Sequence, residues 1–190
     1  MELILASKSP RRCELLRRCG FDFKVVTADT CELTTAPDLR FLPEKNALLK
    51  ARAVAEKYPD SLVLGADTMI LFDGKAVGKP ADQAEAARFL RDFSGRTHEV
   101  VTGLALCFPG GREESWHEVS QVRFKTLTET VIDEYLRLVP VLDKAGAYAI
   151  QEHGEMIIEN FSGELENIIG LPLMKLQKKI GGLMDPPTGK

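Results

Sequence analysis

Cysteine is scarce in this chain. Its 190 residues include four, Cys13, Cys19, Cys31 and Cys107, and no two form a C-x-x-C pair. The three histidines, His98, His117 and His153, are scattered. This pattern offers no zinc site and no disulfide framework, so small buried thiols in a reducing cytosol are expected. Long apolar runs are also missing. The start, MELILASKSPRR, holds a four-residue run from Leu3 to Ala6, too short for a signal-peptide core, and nothing reaches the ~20 residues of a membrane span. A cytoplasmic protein without membrane association is expected. Excess positive charge is absent, with a formal net charge of −3. That removes a whole-surface attraction to nucleic acid or anionic membrane. Aromatics make up 7% of the chain and do not interleave with basic runs, so nucleic-acid binding has no footprint. There is no G-x-x-x-x-G-K-[ST] loop, no internal repeat and no low-complexity segment.

What is present is an ordinary globular composition, 44% hydrophobic and 28% charged. The length predicts one domain over 1–190, with a frayed tail over about 184–190. ELILAS reads as a short buried strand. SPRRCELLRRCG reads as a helix with Ser9 as N-cap, Pro10 at the first helical position, Leu15, Leu16 and Cys19 inward and Gly20 as the stop. FDFKVV alternates as a second strand, and residues 27–41 read as loop. Pro43 to Tyr58 carries an apolar helical stripe. SLVLGADTMILFDG follows as a strand closed by an Asp73-Gly74 hairpin turn. AVGKPAD reads as loop. A helix capped by Asp82 and Glu85 runs to Phe93. HEVVTGLALCF and SWHEVSQVRFKT are long strands about a Pro-Gly-Gly turn. A helix capped by Thr128, a late strand EMIIENF and a final helix from Pro172 to about Gly181 complete the chain. Helices and hairpins interleave, which predicts an α/β fold with a mixed sheet.

Two stretches do not suit a purely structural role. In ASKSPRR, Arg11 and Arg12 fall in the first helical turn, where each cation opposes the helix dipole by roughly 0.3–1 kcal/mol. An anion at the helix start, met by Ser7 and Ser9 hydroxyls and two guanidinium forks, removes the conflict. Two solvated arginines are the plainer alternative. In LGADTMI, Asp67 interrupts an apolar strand, and Gly65 and Ala66 leave room for close approach. An aspartate there serves as a cap, a metal ligand or a general base. Paired with Glu32 it could hold Mg²⁺. Lys50, at the edge of its helix's stripe, is by itself a snorkelling lysine. Lys79 in GKP could reach a phosphate or be a solvated loop charge. Glu32 by itself reads as a surface acid, and Trp116 as packing. Basic groups with nearby carboxylates suit a metal-bound polyphosphate, without fixing the bond that breaks.

These motifs, in this order, resemble the Maf-like nucleoside triphosphate pyrophosphatases. The resemblance rests on ASKSPRRCELL, ALLKARAVA, LGADTMI with GKP, FSGRTHEVVTGLAL, LDKAGAYAIQ and NIIGLPL, and covers nearly the whole chain. It implies a curved mixed sheet flanked by helices, with two lobes around a cleft, and a homodimer. It implies cleavage between the α- and β-phosphates of a nucleoside triphosphate, with Mg²⁺ or Mn²⁺, as house-cleaning of nucleotide pools. Asp67 matches the family's proton acceptor. Ser7, Arg11, Arg12, Lys50 and Lys79 match positions that hold the triphosphate, and Glu32 an acid that holds the metal with Asp67. Arg11, Thr68 and Gln151 match positions tied to base choice. DKAGAYAIQ resembles the dTTP/UTP subgroup. The alternatives are a pyrophosphatase for 7-methyl-GTP or other non-standard purine nucleotides, or a non-catalytic nucleotide-binding division regulator. One departure is GELENIIGLPL, where Glu164 to Glu166 add negative charge to a segment the family builds with serine or tyrosine.

Overall fold

The computed structural model describes residues 1–182; the tail expected to fray, 184–190, lies outside them. Strand β1 (Leu3–Leu5) leads into helix α1 (Pro10–Arg18), and β2 (Lys24–Val25) follows. Helix α2 (Leu42–Ala55) precedes β3 (Leu62–Phe72), β4 (Lys75–Val77) and α3 (Gln83–Phe93). Then come β5 (Thr97–Cys107), β6 (Glu113–Phe124), α4 (Glu129–Leu138), α5 (Gly154–Ile157), β7 (Ile158–Ser162), α6 (Leu165–Ile169) and α7 (Leu173–Ile180). The seven strands form one sheet in the order β2-β1-β3-β5-β6-β7, with β4 on β3. β1 pairs in parallel with β2 and β3, whereas β3–β4 and β6–β7 are antiparallel. The sheet is mixed, as the interleaved pattern predicts.

Local signals explain several element ends. Ser9 caps α1 by accepting the Arg12 amide, with Pro10 next. Asp82 caps α3 by accepting the Glu85 amide, while the Glu85 carboxylate accepts from Ala81 N–H rather than from Asp82. Thr128 caps α4. At the β3–β4 turn both Asp73 and Gly74 have positive φ, 49° and 72°. That is the geometry Asp-Gly hairpins supply at low cost.

Four expectations need correction. The FDFKVV strand shrinks to Lys24–Val25, both exposed at the sheet edge; few neighbours exist to extend its pairing. AVGKPAD is not all loop, because the hairpin turn returns Lys75–Val77 to pair with β3. EMIIENF is split, with Gly154–Ile157 closing a helical turn before β7 begins. The thiols are not uniformly buried: Cys13 and Cys107 are, Cys19 is half-buried and Cys31 is exposed.

The chain divides into two compact units. The first comprises residues 1–67, 102–118 and 170 onward. Ile4, Val63 and Ala105 of its strands, with Ala6 just after β1, pack against Ala47, Ala51 and Val54 of α2. The small alanines on α2 let the helix lie close to β3. The second unit comprises residues 68–101 and 119–169. Its core gathers Ile70, Leu90, Phe93, Phe124, Tyr135 and Tyr148. There His98 stacks on Phe93 with ring centroids 4.5 Å apart and meets the Tyr148 hydroxyl at 2.7 Å through Nε2. Among the described residues, no helix is long and apolar enough to cross a membrane.

Candidate active site

Helix α2 and strand β3 build the centre of the site in the first unit. Gly65 carries no Cβ, and one added there would lie 2.1 Å from the Ala47 carbonyl oxygen. The glycine therefore lets α2 approach β3 closely enough for α2 side chains to reach Asp67, two residues on. Lys50 Nζ donates to Asp67 Oδ1 at 2.7 Å. The same ammonium lies 2.7 Å from Glu32 Oε1. Asp67 and Lys50 side chains are 16% and 19% exposed, Glu32 53%. The aspartate in the apolar strand is thus mostly but not fully buried and is paired with a cation, which offsets part of the cost of a buried charge.

Asn46, one turn before Lys50 on α2, completes the group. Its Nδ2 donates to Asp67 Oδ2 at 3.4 Å and to the Leu33 carbonyl at 3.1 Å, while its Oδ1 accepts from Leu33 N–H at 2.8 Å. The motif reading did not single out this residue.

The first βα junction gathers a second group. Arg12 Nε donates to the Gly170 carbonyl at 2.8 Å, and Nη1 donates to Ser7 Oγ at 3.0 Å and to the Ala66 carbonyl at 3.2 Å. Ser7 is buried, and its Oγ also accepts from Ser9 N–H at 3.3 Å. Burial lowers the Arg12 guanidinium pKa from its usual value, opposed by the nearby Asp67 charge. The dipole conflict at Arg12 is answered in part by carbonyls: the guanidinium turns onto three acceptors of its own chain. Arg11, beside it, is half-buried.

The first unit therefore brings Ser7 and Arg12 together, and Glu32, Lys50 and Asp67 together. Thr68, Lys79 and Gln151 belong to the second unit. Thr68 is half-buried on β3, while Lys79 and Gln151 are exposed on loops. Within that unit the Gly78 carbonyl accepts from Gly146 N–H at 2.9 Å, which ties the GKP loop to the DKAGAYAIQ stretch. Glu164 and Glu166 lie at the start of α6, where the Glu164 carbonyl accepts from Asn167 N–H and from Ser120 Oγ. Acids at a helix start are locally favourable. Trp116 is buried, 6% exposed, beneath Lys175 and Lys179, in agreement with a packing role.

Glu32 and Asp67 converge on one cationic point, the Lys50 ammonium. Among the described residues no group of three or more His, Cys, Asp or Glu could hold a metal ion. The cluster itself supplies two carboxylates, Glu32 and Asp67. Mg²⁺ is commonly held by one or two carboxylates with substrate phosphates completing its shell, and the donor set fits that mode.

The fold and this cluster define an α/β protein with paired acids and cations against an interior strand of an open mixed sheet. The family model described as "Maf-like protein" matches residues 2–183, and the chain belongs to that family. A dTTP/UTP pyrophosphatase of Akkermansia muciniphila is 47% identical over 182 residues, covering 95% of this chain and 96% of the relative. Another dTTP/UTP pyrophosphatase, from Symbiobacterium thermophilum, is 47% identical over 173 residues, with 90% and 89% covered. The structure of the Staphylococcus aureus Ham1 protein aligns with a TM-score of 0.56 at 16% identity, over 97% of this chain and 100% of that one. That likeness concerns the fold.

Proposed function

We propose that this protein is a nucleoside triphosphate pyrophosphatase that hydrolyses dTTP and UTP to the monophosphate and pyrophosphate, as house-cleaning of nucleotide pools. The observation that carries the reading is the Asp67–Lys50–Glu32 cluster, in a chain whose relatives are named for that reaction.

In this reading Asp67 accepts the proton of the water that attacks the α-phosphorus. The bond from that phosphorus to the α,β-bridging oxygen breaks, and pyrophosphate leaves. Ser7, Arg11, Arg12, Lys50 and Lys79 neutralise and orient the triphosphate. A divalent cation, Mg²⁺ or Mn²⁺, would be held by Glu32 and Asp67 and would supply charge stabilisation of the transferring phosphoryl group. Lys50 spaces the two carboxylates and offsets their repulsion. Thr68, Gln151 and Arg11 take part in base choice. Positioning and electrostatics carry most of the rate, and base assistance adds ~10²–10⁴-fold. The reading extends to one domain over the whole chain, a homodimer and a cytoplasmic location.

The test is pyrophosphate release from dTTP, UTP, CTP, ITP, GTP and 7-methyl-GTP with Mg²⁺ or Mn²⁺. Release from dTTP and UTP, lost in Asp67→Asn, is expected. Preference for 7-methyl-GTP would overturn the base assignment. Nucleotide binding without release would overturn the enzyme assignment.

A further inference from the structure

Glu32 poses a problem of position. It sits in a segment, residues 26–38, with no helix or strand, and its side chain is more than half exposed. An irregular stretch of that length does not fix a carboxylate unaided. Yet Glu32 Oε1 lies 2.7 Å from Lys50 Nζ, which is itself 2.7 Å from Asp67. Something must bring the loop down onto α2.

The neighbouring residue shows what does. Leu33 exchanges two hydrogen bonds with the Asn46 side chain, N–H to Oδ1 at 2.8 Å and Nδ2 to the carbonyl at 3.1 Å. A side-chain amide here does what a partner strand does, offering one acceptor and one donor to a single residue. The second Nδ2 proton points to Asp67 Oδ2 at 3.4 Å. Asn46 itself is buried, 4% exposed, both its Nδ2 protons are committed, and its removal takes a donor and an acceptor from Leu33 and a donor from Asp67. A single amide is therefore bonded to one of the two acids and to the backbone next to the other.

We infer that Asn46 is a positioning residue that sets Glu32 beside Asp67 and so preorganises the pair of carboxylates for a divalent cation. The inference rests on the proposed metal role of Glu32 and Asp67. Asn46 acts through Leu33 and does not itself ligate the ion. Groups in this position, which orient ligands, typically govern ~10–100-fold in metal affinity.

The experiment measures Mn²⁺ binding from the electron paramagnetic resonance signal of the free ion, on the full chain without nucleotide. Pyrophosphate release from dTTP against Mn²⁺ concentration is recorded in parallel. The variants are Asn46→Ala, Asn46→Ser, Glu32→Gln and the double Asn46→Ala/Glu32→Gln. Both Asn46 variants should weaken Mn²⁺ by ~10–100-fold, and the double variant should bind no more weakly than Glu32→Gln. Unchanged Mn²⁺ affinity in the Asn46 variants, while Glu32→Gln weakens it, overturns the inference alone. Additive losses in the double variant overturn it too. Should both Asn46 variants fail to fold, amide exchange at Leu33 of the wild type decides: a protected amide supports the inference and free exchange overturns it. Absent pyrophosphate release with the expected Mn²⁺ pattern overturns the enzyme reading and leaves the positioning role standing.

Discussion

The close approach of α2 to β3 should fail if Gly65 gains one methyl group. The added Cβ would lie 2.1 Å from the Ala47 carbonyl oxygen and 3.0 Å from both the Ala47 carbonyl carbon and Ala51 Cβ. Carbon and carbonyl oxygen normally stand no closer than about 3.3 Å, so helix and strand must separate by ~1.2 Å. The obstacle is backbone in the middle of a 14-residue helix, so no side-chain rotation relieves it. Overpacking of this kind costs ~1–3 kcal/mol or more. The gain from a less flexible unfolded chain is only ~0.4–1 kcal/mol. A net loss of about 1–2 kcal/mol lowers Tm by roughly 2–8 °C in a chain of this size.

The same shift carries Lys50 and Asn46 away from Asp67, stretching contacts of 2.7 and 3.4 Å. A misplacement of ~1 Å at a catalytic group costs about 10²-fold in rate. Gly65→Ala should therefore lower both Tm and kcat/KM for dTTP. Gly182→Ala is the control, because a Cβ there meets nothing within 4 Å. Thermal melts by circular dichroism and a coupled pyrophosphate assay read both quantities. A Gly65→Ala protein whose Tm falls no more than that of Gly182→Ala, with undiminished kcat/KM, would refute the packing argument.

Asp67→Asn should keep the fold and lose at least ~10²-fold in kcat; a mutant turning over at the wild-type rate would remove Asp67 from its role. Arg12→Lys gives up a planar fork that serves Gly170, Ala66 and Ser7 together, and should cost ~1–3 kcal/mol in urea unfolding as acceptors go unpaired. His98 supplies a pH prediction. Burial holds its pKa down from 6.5 to about 3, so it stays neutral when folded but takes a proton when unfolded. Stability is full above the unfolded value and is lost as pH falls from about 6.5 toward about 3, by on the order of 5 kcal/mol in total. Urea melts at pH 7 and pH 5 should show part of that loss in wild type, and His98→Phe should reduce the difference; an equal loss in both proteins would place the acid sensitivity elsewhere.

The legible parts of this chain were those where local chemistry and long-range packing agree. Ser9-Pro10, Asp82 and Thr128 announce helix starts, and each caps its helix. Asp73-Gly74 announces a hairpin and forms one. Asp67 was conspicuous because a charge in an apolar run conflicts with burial, and such conflicts mark sites. The sequence failed where pairing depends on distant partners. β2 is an edge strand limited to two residues, and the helical turn before β7 depends on His153 adopting φ 54°, which no local pattern dictates. Asn46 fell between these cases. It stands four residues before Lys50, hence on the same helix face. Asparagine is a poor interior helix former because its amide competes for backbone groups. A buried-face asparagine one turn from a lysine is therefore a conflict of the same kind as Asp67, and is resolved the same way. The amide serves a backbone outside its own helix, and the helix tolerates the residue because Leu33 and Asp67 take up its hydrogen bonds.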